Sequence, residues 1–123
     1  MKMWRITLVV LLAVATAACG SSNTPTTPTP TPTPTAMSVS IPVGARTLGA
    51  GAFVPNPVTV TVGSTVTWIN NDAITHDSIS DTGVWNSGNI PAGGQFAFTF
   101  QSKGTFTYKC TIHAGMVGTV TVQ

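Results

Sequence analysis

Nearly all the reactive side chains of this 123-residue chain fall into two short segments. One runs Tyr108-Lys109-Cys110-Thr111-Ile112-His113-Ala114-Gly115-Met116, a C-x2-H-x2-M pattern, and the other holds His76, the only other histidine. Together they offer a thiolate, two imidazole nitrogens and a thioether. Soft sulfur donors favour Cu(I) while imidazole suits both oxidation states, so two His and one Cys with a weak axial Met make the donor set of a blue-copper electron-transfer centre. Zinc would call for a stronger fourth ligand. The spacing has a mechanical reason: if Cys110 ends a strand pointing inward, two residues between successive ligands let a short loop turn His113 and Met116 back onto the same ion. His76 comes from a separate loop, after Asn70-Asn71-Asp72, so the site closes only in the folded chain. Each residue also has a plainer reading, His76 and His113 as surface polar groups, Met116 as core filler, Cys110 as a structural thiol. It is their joint occurrence at ligand spacing that favours a metal.

Composition removes most other functions. The chain has five Lys or Arg and three acidic residues, and two of the basic ones, Lys2 and Arg5, lie in a segment that reads as a cleaved leader. What remains is Arg46, Lys103 and Lys109 against Asp72, Asp77 and Asp81, a neutral domain. It has no basic cluster to neutralise a phosphate backbone and no glycine-rich loop with lysine, which argues against nucleic-acid and nucleotide binding. Without Glu, and with two histidines both committed to the cluster, paired-carboxylate and triad enzymes lose their parts. Four protein ligands would leave no open coordination position, so the reading is of a protein that is not an enzyme.

The elements that must position these ligands show a period of two. Val58, Val60 and Val62 alternate with threonines, Val66 and Trp68 with Thr65 and Thr67, and Phe96, Phe98 and Phe100 with Gln95, Ala97 and Thr99. Phe106, Tyr108 and Cys110 alternate with Thr105, Thr107 and Lys109, and Val120 and Val122 close the chain. These are half-buried strands, separated by turn signals at Gly63-Ser64, Asn70 to Asp72, Pro91 to Gly94 and Lys103-Gly104. No stretch carries a helical apolar face. Residues 37–123 are therefore expected to form one all-β sandwich of about seven to eight strands, with Trp68, Trp85, Phe53 and the Phe96–Phe100 run in its core.

The segments FVPNPVTVTVGSTVTWINNDAITH (53–76) and YKCTIHAGMVGTVTV (108–122) resemble a small cupredoxin of the plastocyanin, amicyanin and pseudoazurin type, over roughly residues 37–123. The resemblance implies a Greek-key β-sandwich with one type 1 copper near one end, His76, Cys110 and His113 as strong ligands and Met116 as the axial one. It implies a one-electron carrier that meets redox donor and acceptor proteins as a monomer. Two positions depart from the family pattern. Ile112 stands where proline is usual before the second His, and Asp77 where asparagine is usual after the first. The Asp77 backbone N–H is still expected to donate to the Cys110 sulfur, and its carboxylate to accept from the Thr111 N–H or hydroxyl, with a negative charge that favours Cu(II). Electrons are expected to leave through His113, whose far ring edge would lie in an apolar patch of Ile112, Ala114, Met116 and Val117. The alternative is an envelope module for copper storage, delivery or sensing; that would want a solvent-open site rich in Met or His, whereas the domain has Met37 and Met116.

Residues 1–18 give a basic start, an apolar run from Ile6 to Ala18 and small residues before Cys19, the pattern of a signal peptide. Ala17-Ala18-Cys19-Gly20 resembles a bacterial lipobox, with Thr16 in place of the usual leucine, which would make Cys19 the lipidated N-terminus. Ordinary cleavage after Ala17 is the alternative, leaving Cys19 as a thiol. Residues 19–36 continue as a Thr/Pro-rich linker that cannot build a core and favours polyproline II; about 14 residues at roughly 3.1 Å each would span roughly 40 Å. The expectation is an exported protein of the bacterial cell envelope, attached to a membrane through a lipid anchor.

Overall fold

The computed structural model describes residues 29–123. The leader, Cys19 and the first part of the linker lie outside them. Seven strands form two sheets. The first holds β1 (Ala36–Ile41), β3 (Thr65–Asn70) and β5 (Gln95–Thr99) in the order β1-β3-β5. The second holds β2 (Val58–Val60), β4 (Ile79–Ser80), β6 (Gly104–Lys109) and β7 (Val117–Val122) in the order β2-β7-β6-β4. β1 runs parallel to β3 and β2 parallel to β7; the other pairings are antiparallel. The all-β sandwich expected from alternation is borne out, with two short 3-10 turns (Ala45–Thr47 and Gly49–Ala52) that the alternation did not announce.

Threonines and valines take opposite faces because successive side chains of a strand point to opposite sides. In β3, Val66, Trp68 and Asn70 point inward and are buried, while Thr65, Thr67 and Ile69 alternate with them and stay half-buried on the outside. The core between the sheets is Val39, Ile41, Val66 and Trp68 from one side and Val58, Val60, Tyr108, Val120 and Val122 from the other, joined by Phe53, Trp85 and Phe100. Phe96 and Phe98 are half-buried against this core, not inside it. Trp68, Trp85 and Tyr108 meet at ring-centroid distances of 5.4 to 5.6 Å. Tyr108 lies over Gly118, its partner across β6 and β7, where a side chain would collide with the ring.

The end of the linker joins the sandwich. Thr35 donates its N–H to Ser64 Oγ (2.9 Å) and accepts from the Thr65 N–H (3.2 Å), and Thr61 Oγ1 donates to the Thr33 carbonyl (3.1 Å). This docking is at the Gly63-Ser64 turn, where β3 begins. The loops that follow the other ends of β1, β3 and β6 gather at the opposite pole, and that pole carries the reactive residues.

Candidate metal centre

Asn70 ends β3 with a buried amide, and this amide shapes the loop that follows. Its Nδ2 donates to the carbonyls of Ile74 (2.8 Å) and Ile90 (2.9 Å), and its Oδ1 accepts from the Asp72 N–H (2.9 Å). His76 is then fixed by a two-way backbone bridge with Ile90, at 3.1 and 2.7 Å. Just beyond, Trp85 Nε1 donates to Ser78 Oγ (3.0 Å) and the Ser78 N–H to Ser87 Oγ (2.8 Å). The His76 backbone is thereby held on both sides, and its side chain is fully buried.

The second ligand segment follows β6. The Cys110 N–H donates to the Met116 carbonyl (3.1 Å), closing the loop between the first and last residues of C-x2-H-x2-M. Within the loop Asp77 reaches across from the His76 segment. Its Oδ1 accepts from the Thr111 N–H (2.6 Å) and its Oδ2 from the Thr111 hydroxyl. This is the tie expected for the Asp77 carboxylate, and it uses both Thr111 donors at once.

Cys110, His76 and His113 converge. The Cys110 Sγ lies 3.8 Å from Nδ1 of each histidine, and the two Nδ1 atoms are 3.2 Å apart. A point in their plane is about 2.1 Å from all three, the separation at which imidazole nitrogen and thiolate bind a first-row ion, about 2.0–2.3 Å. Cys110 is buried and His113 half-buried. Burial pushes the Cys110 thiol up, and the backbone N–H groups of Asp77, His113 and Ile112 oppose it by stabilising the thiolate. Met116 is fully buried beneath the loop. That corrects the expected apolar patch around His113, from which Met116 is absent because its side chain faces the interior. Ile112 and Val117 remain, 45% and 47% exposed, with exposed Ala114 between them.

A residue read in the sequence as a turn former belongs to the site. Asp72 Oδ2 lies 3.0 Å from His76 Nε2, on the side of the ring away from Cys110. The hydrogen bond with His76 holds the Asp72 carboxyl down to about 2, helped by the backbone N–H groups of Gly44 and Ala73 and opposed by burial. Asp72 is ionised at any neutral pH.

Two imidazoles and one thiolate with no hard oxygen donor among them are a soft-to-borderline set that fits copper. A family model described as copper binding proteins of the plastocyanin/azurin family matches residues 42–123. The chain belongs to that family. The cupredoxin is 38% identical over 89 residues to a plastocyanin of Scenedesmus fuscus, covering 61% of this chain and 90% of the relative. It is 36% identical over 69 residues to amicyanin of Paracoccus denitrificans, covering 52% of this chain and 53% of the relative. Among solved structures, a purple cupredoxin from Nitrosopumilus maritimus superposes with a TM-score of 0.65 at 34% identity, covering 71% of this chain and 99% of that one. The cupredoxin family binds one copper, and His76, Cys110 and His113 form a possible metal site, with Met116 in the same loop.

Proposed function

We propose that this cupredoxin is a type 1 copper protein carrying single electrons between redox proteins of the bacterial cell envelope, held at a membrane through Cys19. His76, Cys110 and His113 are the strong ligands and Met116 the axial one. Copper, when bound, supplies the Cu(I)/Cu(II) couple. The protein's part is to hold three donors at nearly fixed separation, so that little rearranges when the charge changes. The observation that carries the reading is the convergence of Cys110 Sγ with the two Nδ1 atoms around one point, inside a buried and cross-tied pair of loops. Relatives named plastocyanin and amicyanin support the electron-carrier role.

Asp77 and Thr111 lock the two ligand loops together, and the buried Met116 side chain fills the space under the ligand loop. His113 is the ligand that reaches the surface, between Ile112 and Val117, so its ring is the exit for an electron. A partner would dock there by covering apolar surface. Storage or delivery would want an accessible thiol, whereas Cys110 is 3% exposed. Leader cleavage and lipidation at Cys19 rest on the sequence pattern; among the described residues no helix is long and apolar enough to cross a membrane.

The test is the visible and electron paramagnetic resonance spectrum of the copper-loaded chain. An intense blue thiolate-to-copper band with narrow copper hyperfine splitting is expected, and Cys110→Ser should abolish it. A colourless Cu(II) form with an ordinary tetragonal spectrum would overturn the assignment.

A further inference from the structure

Asp72 has no part in the ligand set and is four residues from His76 in a loop, yet its carboxylate is the group that meets the far nitrogen of this fully buried histidine. The contact is 3.0 Å between Asp72 Oδ2 and His76 Nε2, with the two side chains 6% and 0% exposed. The carboxylate is itself held. Its Oδ1 accepts from the Ala73 N–H (2.8 Å), and the Asp72 N–H is bound by Asn70 Oδ1 (2.9 Å). With Oδ1 occupied by the backbone, Oδ2 is left for the imidazole.

A neutral imidazole carries one N–H, and which nitrogen bears it is set by the partner of the other. A carboxylate can only accept, so the proton of His76 must sit on Nε2. Nδ1 is then a bare lone pair, aimed at the point shared with Cys110 Sγ and His113 Nδ1. Among the described residues nothing comparable backs His113. The two imidazoles are therefore unequal: one is fixed in tautomer and direction by a buried carboxylate, the other is half-exposed.

We infer that Asp72 is a positioning residue for the metal centre, which fixes His76 with Nδ1 free for copper and biases the bound ion towards the oxidised state. This rests on His76 being a copper ligand through Nδ1. The bias follows from charge. An anion behind the ring draws on the Nε2–H bond, makes Nδ1 a stronger donor, and so favours the more highly charged ion, in surroundings where little water screens it.

The tautomer is testable before any metal is added. Nitrogen-15 NMR of the metal-free, reduced full-length chain should show His76 protonated at Nε2, with that proton slow to exchange. A bare Nε2, or a mixture of tautomers, in the parent would overturn the inference without any variant. Asp72→Asn keeps an acceptor oxygen and removes the charge. It should keep the tautomer and lose about tenfold more affinity for Cu(II) than for Cu(I), which raises the reduction potential by about 59 mV for one electron. Asp72→Ala removes acceptor and charge together, so the second tautomer should appear and Cu(II) affinity should fall by about 10- to 100-fold. Affinities would be read by competition with chelators of each ion, and circular dichroism would confirm that the variants fold. Folded variants with the parent's potential and tautomer would overturn the role of Asp72. A parent that never turns blue would instead sink the copper assignment and leave the tautomer result standing.

Discussion

Gly118→Ala should be among the most damaging single-methyl changes in the protein. An added Cβ would sit 2.3 Å from Tyr108 Cζ, 2.5 Å from its hydroxyl and 2.7 Å from Cε1, where carbon atoms in contact settle at about 3.5–4.0 Å. The ring must therefore retreat by more than about 1 Å, and it has nowhere to go. Phe53 stands 4.8 Å away centroid to centroid, Trp68 5.4 Å and Trp85 5.6 Å. The alternative is for β7 to lift off β6 at the Tyr108–Gly118 pair, two residues from both Cys110 and Met116. Either route belongs at the upper end of the overpacking range, about 3 kcal/mol. For a domain of this size that is a fall in melting temperature of about 12–24 °C. Urea and thermal unfolding of the copper-free chain, kept reduced, would measure it. Gly51→Ala is the matched control: its nearest neighbour is Leu48 Cβ at 3.7 Å and its φ is unstrained, so it should stay within about 0.5 kcal/mol of the parent. A Gly118→Ala protein as stable as the control would refute the packing argument and show that Tyr108 has room the structure does not display.

Met116→Leu should leave the protein blue and raise its potential, whereas Met116→Gln should lower it, because the axial donor tunes the couple; voltammetry showing no change in either would remove Met116 from the ligand set. With three basic and three acidic residues beyond the leader, electron self-exchange should change little across a salt series. Ile112→Lys should slow it by placing a charge in the surface to be dried, and a steep salt dependence in the parent would mean that docking uses another face. Cys19→Ala should move the protein from the membrane fraction to the soluble envelope fraction with an unchanged spectrum; continued membrane association would reject lipidation at that residue.

The proposed ligand residues were legible because their chemistry is carried by residue type and spacing. Cys, His and Met at three-residue intervals after an alternating strand leave few other readings, and the fold brings Cys110 and His113 to the distant His76 as that pattern requires. The Asp77–Thr111 tie was also foreseeable, since an acceptor beside one ligand and two donors beside another need only the two loops to meet. Asp72 was not. In sequence it is one of three polar residues that signal a turn, and nothing in a spacing of four within a loop says that its carboxylate faces the histidine. That depends on Asn70, whose buried amide sets the path of the loop. Strand β4 escaped notice because two residues are too few to show a period, and β1 because its Val39 and Ile41 follow directly on the Thr/Pro run. Met116 was read both as a ligand and as part of a surface patch; the backbone bond from Cys110 to its carbonyl turns the side chain inward.

The linker enters at the Gly63-Ser64 turn and the ligand loops lie at the other end of β3, six residues away, or about 17–20 Å along a strand. With the anchor proposed at Cys19, the domain would be hung by its tail with its working face outermost. Pulling on the linker loads β1 against β3 at the far end, so tension need not reach His76, Cys110 or His113. In the proposed role, the same arrangement would offer donor and acceptor a single face, the one around His113. They would then have to take turns, with the domain swinging between them on its proposed stalk, so the time needed to reorient would be a lower bound on the interval between successive electrons.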